Sequence, residues 1–515
     1  MSPGSRNPRR AYAALALAAT GSLFLAGCTG TSPDASGGAA GGTVVVGVTA
    51  DPDNLFPWKA TQFQAVSVLE NIYGGLTGFD AELNVVPGLA ESWKVSEDGL
   101  SVTFALREGV TFADGSAFDS ADVVHSLEAI RAEATAAVAS TSLASVDTIE
   151  ATDEQTVVLT LIAPDAALPA SLASVNMAIL SSDDTEADLN TAPNGTGPFT
   201  FDERVANQSI TLVKNADYWG DEVALDSVEF RVIPDETAIV SAMQSGNVQL
   251  AVFNDPLVAQ TAAVGDVTIT ETPQLSYHTL QLNSRAGDLA NVNLRLAIQC
   301  AIDRQEVLDT AALGEGEVTG PITSPAFISD PDARPCAEQD LAQAADYLDE
   351  AGLSDGVTLN AIVNQGGYAT SVNEAQNLKS QLAEAGITLE LEILESGAYV
   401  DRWIAGDFDT AVALNGGRPD PDGMYGRYFT STGNLNAVAG YSSPELDVLF
   451  AEGKAASDND TRVEIYDAVS AELEDNAAWI WLFTSFNYTA TVASVDGFVP
   501  MANNSLQYLR TTTIN

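Results

Sequence analysis

The chain has 515 residues, with 71 acidic against 21 basic side chains, a formal net charge of -50 and only two histidines. Phosphate binding needs a basic face and none is visible, so nucleic acid is excluded as a partner. The acidity is spread along the chain rather than gathered in a tail, which fits a heavily solvated surface, and the length exceeds what one core supports, so at least two lobes are expected.

Arg6, Arg9 and Arg10 precede an apolar run over residues 11–26 that ends at Leu25-Ala26-Gly27-Cys28. The run is shorter than the roughly 20 residues that span a bilayer, so residues 1–27 read as a cleaved export signal. Cys28 after Leu-Ala-Gly resembles the bacterial lipobox, which implies a diacylglyceryl group on Cys28 and anchoring at the outer face of the cytoplasmic membrane. Residues 28–42, rich in Ser, Gly and Ala, read as a flexible tether.

Residues 43–49 (TVVVGVT) form the first expected strand, and strands at 92–96 and 100–106 flank Asp98-Gly99, a pair suited to a tight hairpin. Asp114-Gly115 signals another turn. From Asp119 as N-cap, Val123, Val124, Leu127 and Ile130 share one helical face, leaving His125 in solvent. Further strands are expected at 156–162, 210–214, 227–233 and 267–270, rich in valine and threonine.

Residues 276–283 (SYHTLQLN) alternate, with Tyr277, Thr279 and Gln281 opposite His278, Leu280 and Leu282. Helices are expected over 294–308 and 337–351, and strand 357–363, a helix with Val372, Ala375, Leu378 and Leu382 inward, Gly386 and strand 387–394 make a βαβ unit. Cys300 and Cys336 are left once Cys28 carries lipid; in an exported chain the pair suggests a disulfide, with two buried thiols as the alternative. The mixture of elements argues for α/β or α+β lobes rather than a sandwich or bundle, and α/β is the fold class expected.

Against an enzyme stands the absence of chemistry-bearing patterns. His125 and His278 are too far apart for an HExxH zinc site, and no GxSxG elbow, CxxC pair or phosphate-binding GxxxxGK[ST] loop occurs. Neither a cofactor nor a bound metal is expected.

Residues 87–130 (PGLAESWKVSEDGLSVTFALREGVTFADGSAFDSADVVHSLEAI) resemble the signature of the solute-binding proteins of peptide and nickel ABC importers, family 5. Gly195-Thr196-Gly197-Pro198-Phe199, Asn215-Ala216-Asp217-Tyr218-Trp219-Gly220, Phe230-Arg231-Val232-Ile233-Pro234-Asp235, Ser245-Gly246-Asn247, Ala301-Ile302-Asp303-Arg304 and Pro419-Asp420-Pro421 follow in family order. The resemblance implies a type II periplasmic-binding-protein fold: lobe I over 43–273 with an inserted subdomain near 88–193, lobe II over 274–485, and a return to lobe I over 486–515. It also implies a monomer that closes on a peptide or similar solute and delivers it to permease subunits.

In peptide binders of this family an aspartate four residues before the proline of the Asp-Pro motif pairs with the peptide ammonium; here that position is Gly417. The run Gly416-Gly417-Arg418-Pro419-Asp420-Pro421-Asp422-Gly423 is similar instead to a glutathione-like and opine-like branch, in which Arg418 takes a ligand carboxylate or phosphate. The alternative is that Arg418 pairs with Asp420 or Asp422 and stiffens the loop. Tyr277, His278, Tyr399, Trp403, Asn415, Asp420, Tyr425 and Trp481 are further candidates for the cleft, since such sites combine aromatic walls with a few polar groups, and core packing is the competing role for each. Nickel or a metal chelate is an alternative ligand, with His278 as the only histidine placed to reach it.

Overall fold

The computed structural model describes residues 41–515; the segment expected to be a signal, Cys28 and most of the expected tether lie outside the described residues. Two sheets organise the chain, one per lobe. The larger has the order Val267–Pro273, Phe483–Val492, Leu250–Phe253, Thr43–Val48, Ser227–Val232, Ser209–Lys214 and Phe199–Val205, with Gly316–Val318 pairing the start of Phe483–Val492. The second has the order Ile387–Glu395, Val357–Gln365, Thr410–Asn415, Tyr277–Leu282 and Trp479–Trp481.

A third, antiparallel sheet of Ala90–Val95, Ser101–Leu106, Thr156–Leu161 and Val146–Asp153 sits beside the larger one, with helix Ser120–Arg131 packed on it. The helix starts where Asp119 accepts the Ala121 amide at 2.7 Å while Asp122 accepts the Asp119 amide at 3.1 Å, a reciprocal cap that satisfies donors left free in the first turn. One continuous apolar core joins this sheet to the larger one, running from Val44, Val46 and Phe230 through Phe104, Leu127 and Leu159. The insert is therefore welded to its lobe by burial of apolar surface.

Strand alternation sorts the second lobe into two cores. Leu280, Leu282 and Ile480 face helices Val292–Cys300, Arg304–Ala311 and Ser371–Glu384, whereas Tyr277, Trp479 and Trp481 face helices Pro444–Ala455 and Asn459–Asp475. Strands Val357–Gln365 and Ile387–Glu395 pair in parallel in one register across helix Ser371–Glu384, and Gly386 between helix and strand has φ 81°, a conformation that favours glycine.

Two expected helices differ. The helix expected over 294–308 is two, Val292–Cys300 and Arg304–Ala311, because Asp303 turns out to be an N-cap, accepting the Glu306 amide at 2.9 Å. The helix expected from 337 begins at Leu341, where Asp340 accepts the amides of Ala342 and Gln343 at 3.0 and 2.9 Å. In both cases an aspartate competes for the backbone and resets the start.

Cys300 and Cys336 form a disulfide, Cα to Cα 5.0 Å, closing a loop of 36 residues within the second lobe's core. Cross-linking a loop of that size removes unfolded-state entropy equivalent to about 4 kcal/mol. The double variant Cys300→Ser/Cys336→Ser is expected to lower the unfolding free energy by a few kcal/mol, read as a lower denaturant midpoint. An unchanged midpoint would show that the bond adds nothing.

Candidate functional site

Two segments cross between the lobes side by side: strand Val267–Pro273 leads into Tyr277–Leu282, and Trp479–Trp481 leads into Phe483–Val492. Beside this crossover lies a cleft of about 1730 Å³. One wall carries Glu70, Tyr73, Thr196, Tyr218 and Arg510, and the other carries Gly416, Gly417, Arg418, Asp422, Arg427 and Lys454, with Gln274, Leu275 and Ser276 of the crossing at the floor.

The loop bearing Arg418 runs from strand Thr410–Asn415 into a π-helical turn, Asp422–Gly426. Asp420 is buried and its carboxylate sits 2.7 Å from Arg462, while the Asp422 amide donates to its Oδ1 at 3.0 Å. Asp422 lies 3.5 Å from Lys454. Burial pushes its carboxyl up to about 6, with Lys454 opposing and the charges of Asp420 and Asp165 reinforcing. Neither aspartate pairs with Arg418, whose guanidinium makes no ion pair or hydrogen bond among the described residues.

Of the nine side chains proposed from sequence for ligand contact, Arg418 and Asp420 line this cleft, and Asp420 is committed to Arg462. The other seven lie off it, for a physical reason in each case. Tyr277, Tyr425 and Trp481 pack into one aromatic core, with Tyr277 and Tyr425 ring centroids 5.6 Å apart and Trp481 Nε1 donating to the Tyr425 hydroxyl at 2.9 Å. Trp403 Nε1 donates to Gln281 at 2.7 Å, Gln281 to Asn415 at 3.2 Å, and Asn415 to Thr279 at 3.0 Å, a ladder in which these side chains satisfy one another. Tyr399 donates its hydroxyl to the Val412 carbonyl at 3.0 Å.

His278 stacks on Phe483 with centroids 4.2 Å apart, and its Nδ1 is 2.9 Å from the buried Glu374 carboxylate. That contact occupies the only histidine near the crossing, and among the described residues no group of three His, Cys, Asp or Glu side chains is arranged to hold a metal ion.

Sequence reasoning did not single out Glu70, Arg427 or Arg510. Glu70, at the end of helix Phe63–Leu69, accepts the Ser505 hydroxyl at 2.7 Å and the Leu506 amide. No local signal could have joined residues so far apart in the chain. Arg427 was visible only as a charge six residues beyond Pro421.

A family model described as "Bacterial extracellular solute-binding proteins, family 5 Middle" matches residues 84–436. The chain belongs to this family of ABC-importer binding proteins. It is 28% identical to the "Probable di/tripeptide-binding protein 5" of Pseudomonas aeruginosa (strain UCBPP-PA14), over 93% of this chain and 96% of that protein. HbpA2 from Haemophilus parasuis superposes with a TM-score of 0.84 at 24% identity, covering 92% of this chain and 100% of that one. DppA from Helicobacter pylori in complex with the peptide STSA gives 0.69 at 25% identity, covering 92% and 98%. The family consists of binding proteins that supply importers, and its fold is the two-lobed one seen here.

Glu70 lines the cleft, and its ionisation is coupled to the stability of the fold. Burial raises its carboxyl to about 7 against the hydrogen bonds from Ser505 and Leu506. A carboxyl whose folded-state value lies above its unfolded one holds its proton better when folded, so it weakens the fold as pH rises from about 4.5 through 7. Glu70→Gln is therefore expected to remove roughly 2 to 4 kcal/mol of stability loss between pH 5 and 8. Denaturant midpoints for both proteins across that range check it; parallel curves would mean that Glu70 ionises normally.

Proposed function

We propose that the chain is an exported, lipid-anchored binding protein that captures a peptide or peptide-like solute between its lobes and presents the closed form to importer permease subunits. The observation that carries the reading is the cleft of about 1730 Å³, walled by both lobes and floored by the paired crossing segments. Its size suits a solute larger than an ion. A solute touching both walls stabilises the closed arrangement by the difference in its affinity for the two states.

The peptide class is supported by the relatives whose names or bound ligands are peptides. Anchoring is supported by Cys28 after Leu25-Ala26-Gly27 and by the apolar run before it. We assign lobe I to residues 43–273 and 486–515, with the insert at about 88–193, and lobe II to 274–485.

The test is a thermal-shift screen of short peptides, γ-linked peptides, opines and sugar phosphates, paired with small-angle scattering. A true ligand at about 100 times its Kd adds roughly 2.7 kcal/mol of stability and shrinks the radius of gyration. A screen in which no solute shifts the melting temperature, or scattering that stays unchanged with a bound one, would refute capture by closure.

A further inference from the structure

A second cavity, of about 270 Å³, lies at the seam where the insert meets lobe II. Leu83, Trp93 and Pro164 line it from one side, and Phe327, Pro419 and Ala455 from the other. Each lobe thus supplies half of a largely apolar wall. Asp165, Pro419, Asp420 and Lys454 line both this pocket and the solute cleft, so the two are neighbours divided by those residues.

A hydrogen bond closes the seam, and the end of a helix explains it. Helix Pro444–Ala455 stops there, and the last carbonyls of a helix have no partner within it. The Ala456 amide donates to the Glu452 carbonyl at 2.9 Å and Arg462 Nε to that of Gly453 at 3.2 Å, while the Ala166 amide, from the insert, donates to that of Lys454 at 2.9 Å. A helix of lobe II is therefore completed by lobe I.

The polar groups around the pocket are already engaged. Asp420 lies 2.7 Å from Arg462, whose guanidinium sits 5.3 Å from the Phe327 ring centroid, and Lys454 lies 3.5 Å from Asp422. Asp165 accepts the Ser145 hydroxyl at 2.5 Å and the Ala167 amide at 3.2 Å, and Asp458 accepts the Thr461 amide at 2.8 Å. A charged occupant would lose its water for groups that are committed elsewhere, whereas a neutral apolar one gains by leaving water.

The tryptophans single out the same place. Of the six in the chain, Trp58, Trp219, Trp403, Trp479 and Trp481 donate their indole N–H to acceptors at 2.7 to 3.0 Å. Trp93, half-buried on strand Ala90–Val95, has no such acceptor among the described residues, and it is the tryptophan that lines the pocket. An apolar cavity of about 150 Å³ holds a benzene ring, so one of about 270 Å³ suits a fused pair of rings, and aromatic walls favour an aromatic guest.

We propose that this seam is a second binding site, distinct from the solute cleft, which takes a neutral fused-ring aromatic molecule of about the size of indole and by doing so pins the insert to lobe II. A molecule that touches both walls favours the arrangement in which they meet. No solute in the cleft is needed, so the site stands or falls apart from the capture reading.

The experiment uses indole as the probe. Calorimetry on the purified protein should give one indole per chain with a dissociation constant below about 1 mM, and Trp93→Ala should weaken it more than tenfold. Free tryptophan in tenfold excess should leave the indole bound, since its ammonium and carboxylate find no partners in the pocket. Hydrogen exchange at the Ala166 amide reads the seam itself, because that proton is released when the bond to Lys454 opens. With indole at ten times its dissociation constant, exchange there should slow about elevenfold if the bound form needs both walls. Absence of binding, unchanged affinity in Trp93→Ala, or displacement by tryptophan overturns the site, and indole bound with unchanged exchange at Ala166 overturns the pinning. The exchange measurement uses the unaltered chain, so a Trp93→Ala protein that fails to fold leaves the proposal open to refutation.

Discussion

The lobes meet through two chain segments that are bonded to each other as well as to their own sheets. The Gln274 amide donates to the Ser485 carbonyl at 2.9 Å and its side chain to the Phe486 carbonyl at 3.1 Å. The Thr484 hydroxyl lies 2.7 Å from the carbonyls of both Gln274 and Ser276, and the Leu482 amide donates to the His278 carbonyl at 2.9 Å. The crossing is therefore a ribbon tied by backbone and hydroxyl hydrogen bonds, and separating its strands would leave those buried donors and acceptors unpaired. The recognition loop rests on the same place, since Gly417 packs directly against the Leu275 carbonyl that also accepts the Thr323 hydroxyl at 2.5 Å.

A second constraint sits behind the aromatic face of lobe II. Arg304 donates to the carbonyls of Trp481 at 2.9 Å and Cys336 at 3.3 Å, Arg334 lies 3.3 Å from the buried Glu474, and Gln299 donates to that carboxylate at 2.9 Å. Burial alone would favour neutral forms, and it pushes Glu474 up and Arg304 down, while their opposite charges oppose both shifts. Such a cluster gains little net stability over apolar packing, yet removing one member strands the others. What it does is fix strand Trp479–Trp481 against the disulfide region, so the strand entering the crossing starts from a rigid base.

How much of this could be read beforehand depended on the range of the signal. Alternation in residues 276–283 assigned Leu280 and Leu282 to one face and Tyr277 to the other, because period two is a local property of a strand. It could not say which face met a core, and both do. Aromatic and amide residues such as Trp403, Asn415 and Trp481 look alike whether they line a cleft or satisfy one another, so the ladder from Trp403 to Thr279 was invisible until the sheet order was known. Asp303 and Asp340 carried a legible cap signal that helical periodicity overshadowed. The loop at 416–423 was readable as a motif, including its missing acid; that Leu275 forbids one was not, because the two residues lie far apart in sequence.

A chain of net charge -50 whose cleft arginines have no carboxylate partner among the described residues poses an electrostatic question, and distance answers it. Surface carboxylates act on a solute through water and salt, where interactions fade beyond a Debye length of about 8 Å. A guanidinium in contact acts across a partly dehydrated gap, where the same unit charge is worth several times more. Repulsion therefore slows approach without setting affinity, and the two terms separate in the rate constants. Rising salt should speed association of an anionic solute while leaving dissociation from the closed cleft little changed, the reverse of the pattern for a protein that steers its ligand in.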